Sequence, residues 1–238
     1  MVFIAGQKQK VLFGAFDLTQ FFNTASMSQD QNLIETSVFG SDDAQYLAGI
    51  QTATVGLGGF YDGASDGVDE EFSNVFNGSE TPLTVFNGGD TAGNRAFLLN
   101  SQIQNYTIDS AVADAVQINS SFTGSNFGNG KSLYALTNTS ATVTTTSVDM
   151  GASSSIGGQA HIHVTAHGSS NIAVKIQSSA DNGSFADVTG LGFTAITGTG
   201  SERKATASTT TVNRYVRLVI TRTSGSATFS VAYAHNVR

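Results

Sequence analysis

Four groupings of residues have types and spacings that can do chemistry. His161 and His163 stand two apart, with His167 close behind. On a strand the first two point the same way and could share a metal ion. No run of carboxylates completes that site, and His167 lies too far along a straight strand to join without a bend. A polar outer strand face is the expected role of the pair. Gly63-Ala64-Ser65-Asp66-Gly67 fits the G-x-S-x-G pattern of a serine nucleophile. That chemistry needs a strand-to-helix elbow, with an acid and a His later in the chain. A strand precedes Ser65, but no α/β context surrounds it, and a loop is expected. Asp62, Asp66, Asp69, Glu70 and Glu71 concentrate charge without the alternating ligand spacing of a calcium loop. They read as an acidic loop facing solvent or a lumen. Gly190-Leu191-Gly192 fits a dinucleotide fingerprint loosely, but it opens a β-like stretch and not a helix. No catalytic, cofactor-binding or metal site is assigned from these patterns, and no enzyme activity is expected.

The elements that must position these residues are strands. Apolar residues alternate with period two in Thr52 to Tyr61, Phe97 to Ile108 and Val116 to Phe122, and Val11 to Phe16 and Leu33 to Phe39 read the same way. One short helix is expected over Ala44 to Gly49, capped by Ser41 and favoured by Asp42 and Asp43 near its N-terminus. Gly124 to Ser155 is poor in apolar residues and reads as a connection, with a strand around Ser132 to Leu136 possible inside it. Beyond it, four strands are expected: Ile162 and Val164 on one face opposite His161 and His163; Ile172, Val174 and Ile176; Val216, Leu218 and Ile220; and Phe229, Val231 and Tyr233. Asp181-Asn182-Gly183 is a turn signal, and Val75-Phe76-Asn77-Gly78 recurs as Val85-Phe86-Asn87-Gly88 as if marking two similar turns. The expectation is a mainly β protein whose C-terminal part is an antiparallel β-sandwich.

Composition narrows the function. The 238 residues include 26 Gly, 1 Pro and no Cys, and only 12% are charged, against a usual quarter. Without Cys there is no disulfide framework, Cys-ligated metal or cysteine nucleophile. No apolar run approaches the roughly 20 residues needed to span a bilayer, and Met1-Val2-Phe3-Ile4 before Lys8 and Lys10 is the reverse of a secretory signal. Charge is split: residues 1–150 hold 4 Lys/Arg and 15 Asp/Glu, residues 151–238 hold 7 and 3. Between Lys10 and Arg95 there are twelve acids and no basic residue. Tight nucleic-acid binding needs cations against phosphates, which the first part lacks. The late cluster Arg203, Lys204, Arg214, Arg217 and Arg222 has no aromatic platform beside it and reads as a solvated or intersubunit face.

The order of features resembles the major tail (tail tube) proteins of tailed bacteriophages. Phe16-Asp17-Leu18-Thr19-Gln20-Phe21-Phe22-Asn23 with Ala25-Ser26-Met27-Ser28 is similar to the opening of that family. Ile34-Glu35-Thr36-Ser37-Val38-Phe39-Gly40 through Gly49, then Ala53 to Gly63, continue the likeness, as does Gly93-Asn94-Arg95-Ala96-Phe97-Leu98-Leu99. His161 to Thr165, Ser178 to Asp187 and Asn213 to Arg217 resemble the β-sandwich modules attached to some members. The resemblance implies a tail-tube-like β-barrel or sandwich with one short helix over 1–130, a Gly/Ser/Thr-rich connection over 131–155, and a sandwich over 156–238. It implies a non-enzymatic virion subunit, made in the host cytoplasm, that assembles as stacked hexameric rings with other tail proteins. Phage DNA would pass through an acid-walled lumen without tight binding, and no membrane is a partner. A capsid decoration or fibre-like adhesion protein that binds glycan or host surface is the alternative. For the latter, Phe185 stands where such modules often carry Trp.

Overall fold

The computed structural model describes residues 6–40, 42–64, 67–76, 78–112 and 114–235. The chain opens with β1 (Lys10–Phe13), β2 (Phe16–Asp17), β3 (Phe22–Glu35) and β4 (Tyr46–Phe60), followed by α1 (Val68–Val75). Next come β5 (Thr81–Asn87), β6 (Arg95–Asp109), β7 (Gln117–Thr139), β8 (Val143–Thr144) and β9 (Val148–Asp149). The last strands are β10 (Gly158–Ser179), β11 (Ala186–Gly192), β12 (Gly200–Ala205) and β13 (Tyr215–His235). Among the described residues the strand pairings are all antiparallel. Among the described residues the protein is mainly β with one short α-helix, as its alternation required.

Internal contacts divide the chain into two units that are discontinuous in sequence. The first comprises Met1–Phe21, Ser79–Ser101 and Asn126–Arg238; the second comprises Phe22–Gly78 and Gln102–Ser125. This grouping differs from the expected 1–130, 131–155 and 156–238. The physical reason is strand length: β7 runs without a break through position 130, so part of the expected connection is ladder.

The first unit has a layered plan. β10 and β13 pair along almost their whole lengths, from Gly158↔His235 to Ser179↔Tyr215. The sequence reads each as two strands, and the structure joins them. A register shift with Ser169 at φ 47° and Gly225 at φ 62° lets the ladder bend without ending. The half nearest Gly158 is flanked by β12 and the other half by β11. Ala160, Ile162 and Val164 with Phe229, Val231 and Tyr233 thus face Ile172, Val174, Ile176, Val216, Leu218 and Ile220 across one sandwich core. The opposite face of the same half-ladder is also covered. Ala232 and Ala234 pack with Leu12, Phe86, Ala96 and Leu98 of β1, β5 and β6. A sheet buried on both sides cannot alternate apolar with solvent-facing polar residues.

Gly130 shows how closely these strands approach. A Cβ there would lie 2.0 Å from the Tyr233 carbonyl oxygen and 2.7 Å from Ala234 Cα. Gly130→Ala is expected to cost about 3 kcal/mol through forced backbone displacement, read as a lower denaturation midpoint with unchanged slope.

In the second unit β4 lies between β3 and β7. Val55, Leu57, Ile118 and Phe122 are buried on one face, and the Phe72 ring of α1 packs against Phe22, Tyr106 and Phe122. The helix is not where the sequence reading put it. Ala44 to Gly49 leads into β4, where Tyr46, Leu47 and Ala48 pair with Glu35, Ile34 and Leu33, and Ser41 is outside the described residues. Instead α1 forms in the acidic run expected to be a loop. Asp69, Glu70 and Glu71 occupy its first turn, where the helix dipole favours them, and Val68 and Phe72 bury one side. The two Val-Phe-Asn-Gly copies are not similar turns: the first closes α1 and the second lies in β5, with Asn77 outside the described residues.

Candidate functional site

The histidines are not on an outer face. His161 and His163 are both fully buried on the covered side of β10. The Thr84 hydroxyl of β5 sits between them, 3.1 Å from His161 Nδ1 and 2.8 Å from His163 Nε2. His163 Nδ1 lies 2.9 Å from the Gly14 carbonyl. A carbonyl only accepts, so His163 Nδ1 carries the proton and its Nε2 is bare. Thr84 therefore donates to His163 Nε2 and accepts from His161 Nδ1–H. The order is fixed only if both rings are neutral. Burial provides that, holding His163 down at about 4 and His161 well below the usual range. The Thr84 hydroxyl joins the pair. His167 is exposed farther along the strand. Among the described residues no three His, Asp or Glu side chains gather as a metal site. Ser65 and Asp66 lie outside the described residues.

The late basic residues are individually engaged. Arg214 binds Asp149 through Nε at 2.6 Å and Nη2 at 2.5 Å, which helps to pull that carboxyl down to about 2. Lys204 pairs with Glu202, Arg203 donates to Gln159, and Arg222 donates to the Gly225 carbonyl. Arg217 lies 4.0 Å from the Phe185 ring centre, so the aromatic face considered for a sugar is already covered. The Asp181 turn forms as read: Asn182 takes φ 59°, and Asp181 accepts from the backbone of Gly183 and Ser184.

The surface that stands out is an arm. β4 pairs with β7 only from Ala53 onward, so Tyr46–Thr52 and the facing part of β3 form a two-stranded hairpin with no third strand among the described residues. Seven residues of strand reach about 23 Å. Residues 28–40 are exposed throughout. They include Leu33, Ile34, Val38 and Phe39, joined across the hairpin by exposed Tyr46, Leu47 and Ile50. At the other end of the unit, Phe60, Tyr61, Phe76, Ile108 and Val112 are exposed as well. Of the large hydrophobic side chains left exposed among the described residues, all but Ile156 belong to this second unit.

Charge follows the same division. The second unit carries eleven Asp/Glu and no Lys or Arg; the first carries all eleven Lys/Arg and seven acids. In the second unit the acids sit at two ends. Asp30, Glu35, Asp42 and Asp43 mark the arm. Asp62, Asp69, Glu70, Asp109 and Asp114 mark the opposite end, where Phe60 pairs with Gln117 and Asn119 donates to Asp109. Between these ends, the half-buried to exposed face bears Thr24, Ser26, Thr54, Gly56, Gly58, Asn119, Ser121 and Thr123, all uncharged. The sequence reading missed the arm because it ended one strand at Phe39 and began a helix at Ala44. The seven apolar residues between 33 and 50 were its available signal.

Solved structures similar to this chain include tail tubes. The SPP1 tail tube aligns at TM-score 0.44 and 13% identity, covering 53% of this chain and 78% of that one. The sheath/tube terminator of the PVC extracellular contractile injection system aligns at TM-score 0.45 and 12% identity, covering 54% and 97%. The SPP1 Dit protein covers 95% of this chain and 98% of its own at TM-score 0.37 and 11% identity. No family model matches the sequence, and no curated protein does.

Proposed function

We propose that this chain is a structural subunit of a bacteriophage tail tube and has no enzymatic role. The observation that supports the reading best is the arm. A two-stranded hairpin is at best marginally stable alone in water, and this one also exposes seven large apolar side chains. Such a surface is what a subunit offers to a neighbour, and an unpaired strand edge beside it favours association by strand pairing. In this reading the subunits form hexameric rings that stack head to tail, joined by other tail proteins, in a virion assembled from protein made in the host cytoplasm.

The cation-free unit supplies the conduit. Carboxylates at the end opposite the arm repel DNA phosphates over about 8 Å at physiological salt, which lets a genome pass without sticking. Electron microscopy of the purified protein tests both parts. The expected result is hollow rings or tubes with sixfold symmetry, with Asp62, Asp69, Glu70, Asp109 and Asp114 facing the bore. Solid or strictly dimeric particles would defeat the tube reading, and those acids on the outside would defeat the conduit.

A further inference from the structure

The surface that receives the arm can be argued from charge, granted the self-assembly reading above. Two arms meeting tip to tip would oppose two surfaces that carry acids and no cations. Like charges so placed suppress association. Charge instead directs the arm tip of one copy to the first unit of another, which holds every Lys and Arg, and a contact between unlike surfaces repeats into a ring or a filament.

Among the described residues, four cations of the first unit are held in ion pairs. Lys10 pairs with Asp17 and Asp90, Lys175 with Asp187, Lys204 with Glu202 and Arg214 with Asp149. Arg95 is exposed and makes no ion pair or side-chain hydrogen bond among the described residues. It lines a recess of about 230 Å³ with Lys131, Asn87, Asn129, Ala96 and Met150. Lys131 donates one N–H to the Asp149 carbonyl at 2.6 Å and has two others. The Asp149 carboxylate is held by Arg214, so it does not cancel Arg95.

We propose that this recess accepts the arm tip of a second copy. A carboxylate of Glu35, Asp42 or Asp43 pairs with the Arg95 guanidinium, which suits two parallel hydrogen bonds. An apolar side chain beside it, Val38 or Phe39, lies on the adaptable Met150, which is only partly buried. The arm offers acid beside apolar surface, and the recess offers cation and amide beside apolar surface.

A charge swap tests the assignment. Association is measured by analytical ultracentrifugation at low and high salt for the wild type, Arg95→Glu, and an arm variant carrying Glu35→Arg, Asp42→Arg and Asp43→Arg. Wild-type association is expected to weaken with salt. Each variant alone is expected to associate about tenfold more weakly or worse, with an unchanged melting temperature. Mixing the two variants restores association, because each reversed surface then finds its complement. Arg95→Glu assembling like the wild type, or a mixture that stays apart, would overturn the acceptor assignment. If Phe39→Ser still blocks assembly in that case, the self-assembly reading stands by itself. A wild type that stays monomeric at every salt concentration overturns both.

Discussion

Between about pH 6.5 and about pH 4 the folded protein is expected to lose about 3 kcal/mol of stability through His163 alone. Its folded pKa is held at about 4 against an unfolded value of 6.5, first by burial and against the weak opposing effect of the Gly14 carbonyl. In that window the unfolded chain binds a proton that the folded chain refuses, so each pH unit of acidification costs about 1.4 kcal/mol. Above pH 6.5 both states are neutral at this site and the effect vanishes. His161 moves in the same direction, through burial and then through His163 and Arg203. Protonating His163 also deprives Thr84 of its acceptor, so the buried chain fails as a unit. The exposed carboxylates with lowered values, Asp149, Asp181 and Asp187, act only at still lower pH. Urea unfolding across this range provides the check. His163→Asn keeps an N–H for the Gly14 carbonyl and does not titrate, so its stability curve should be flatter over the window. An equally steep curve for the variant would remove His163 as the cause.

Replacing three arm residues, Val38→Ser, Phe39→Ser and Leu47→Ser, is expected to weaken self-association by about three orders of magnitude. Each side chain is more than half exposed in the single chain. Docking it would bury apolar surface that contributes about 1.5–3 kcal/mol per side chain, or about 5 kcal/mol together. The folded single chain draws nothing from these contacts, so its melting temperature should stay within the small range of surface substitutions. Sedimentation velocity and electron microscopy would read the loss of rings or tubes, and thermal unfolding would show the intact fold. Assembly at wild-type concentrations would refute the arm as an interface.

These outcomes depend on features that the amino-acid order revealed unequally. Val216, Leu218 and Ile220, or Val55 and Leu57, were legible as strand faces because alternation is written locally. The Asn182 turn was legible for the same reason. The arm was not, because a Ser followed by two Asp is a good helix start in isolation. Pairing of Tyr46, Leu47 and Ala48 with Glu35, Ile34 and Leu33 overrides that local preference. The acid run at 69–71 failed the other way: its charge suggests a loop, and the burial of Val68 and Phe72 makes it a helix.

By itself the sequence determined that the protein is β-rich, lacks cysteine chemistry, and keeps cations out of a long early stretch. Those properties are sums and local periodicities, which need no coordinates. Only the tertiary structure decided which residues share that cation-free region. Chain segments 22–78 and 102–125 come together into a unit with no Lys or Arg at all. It also turned His161 and His163 from a surface pair into a buried chain. Strand alternation specifies which residues lie on the same face, and only packing specifies whether that face meets water.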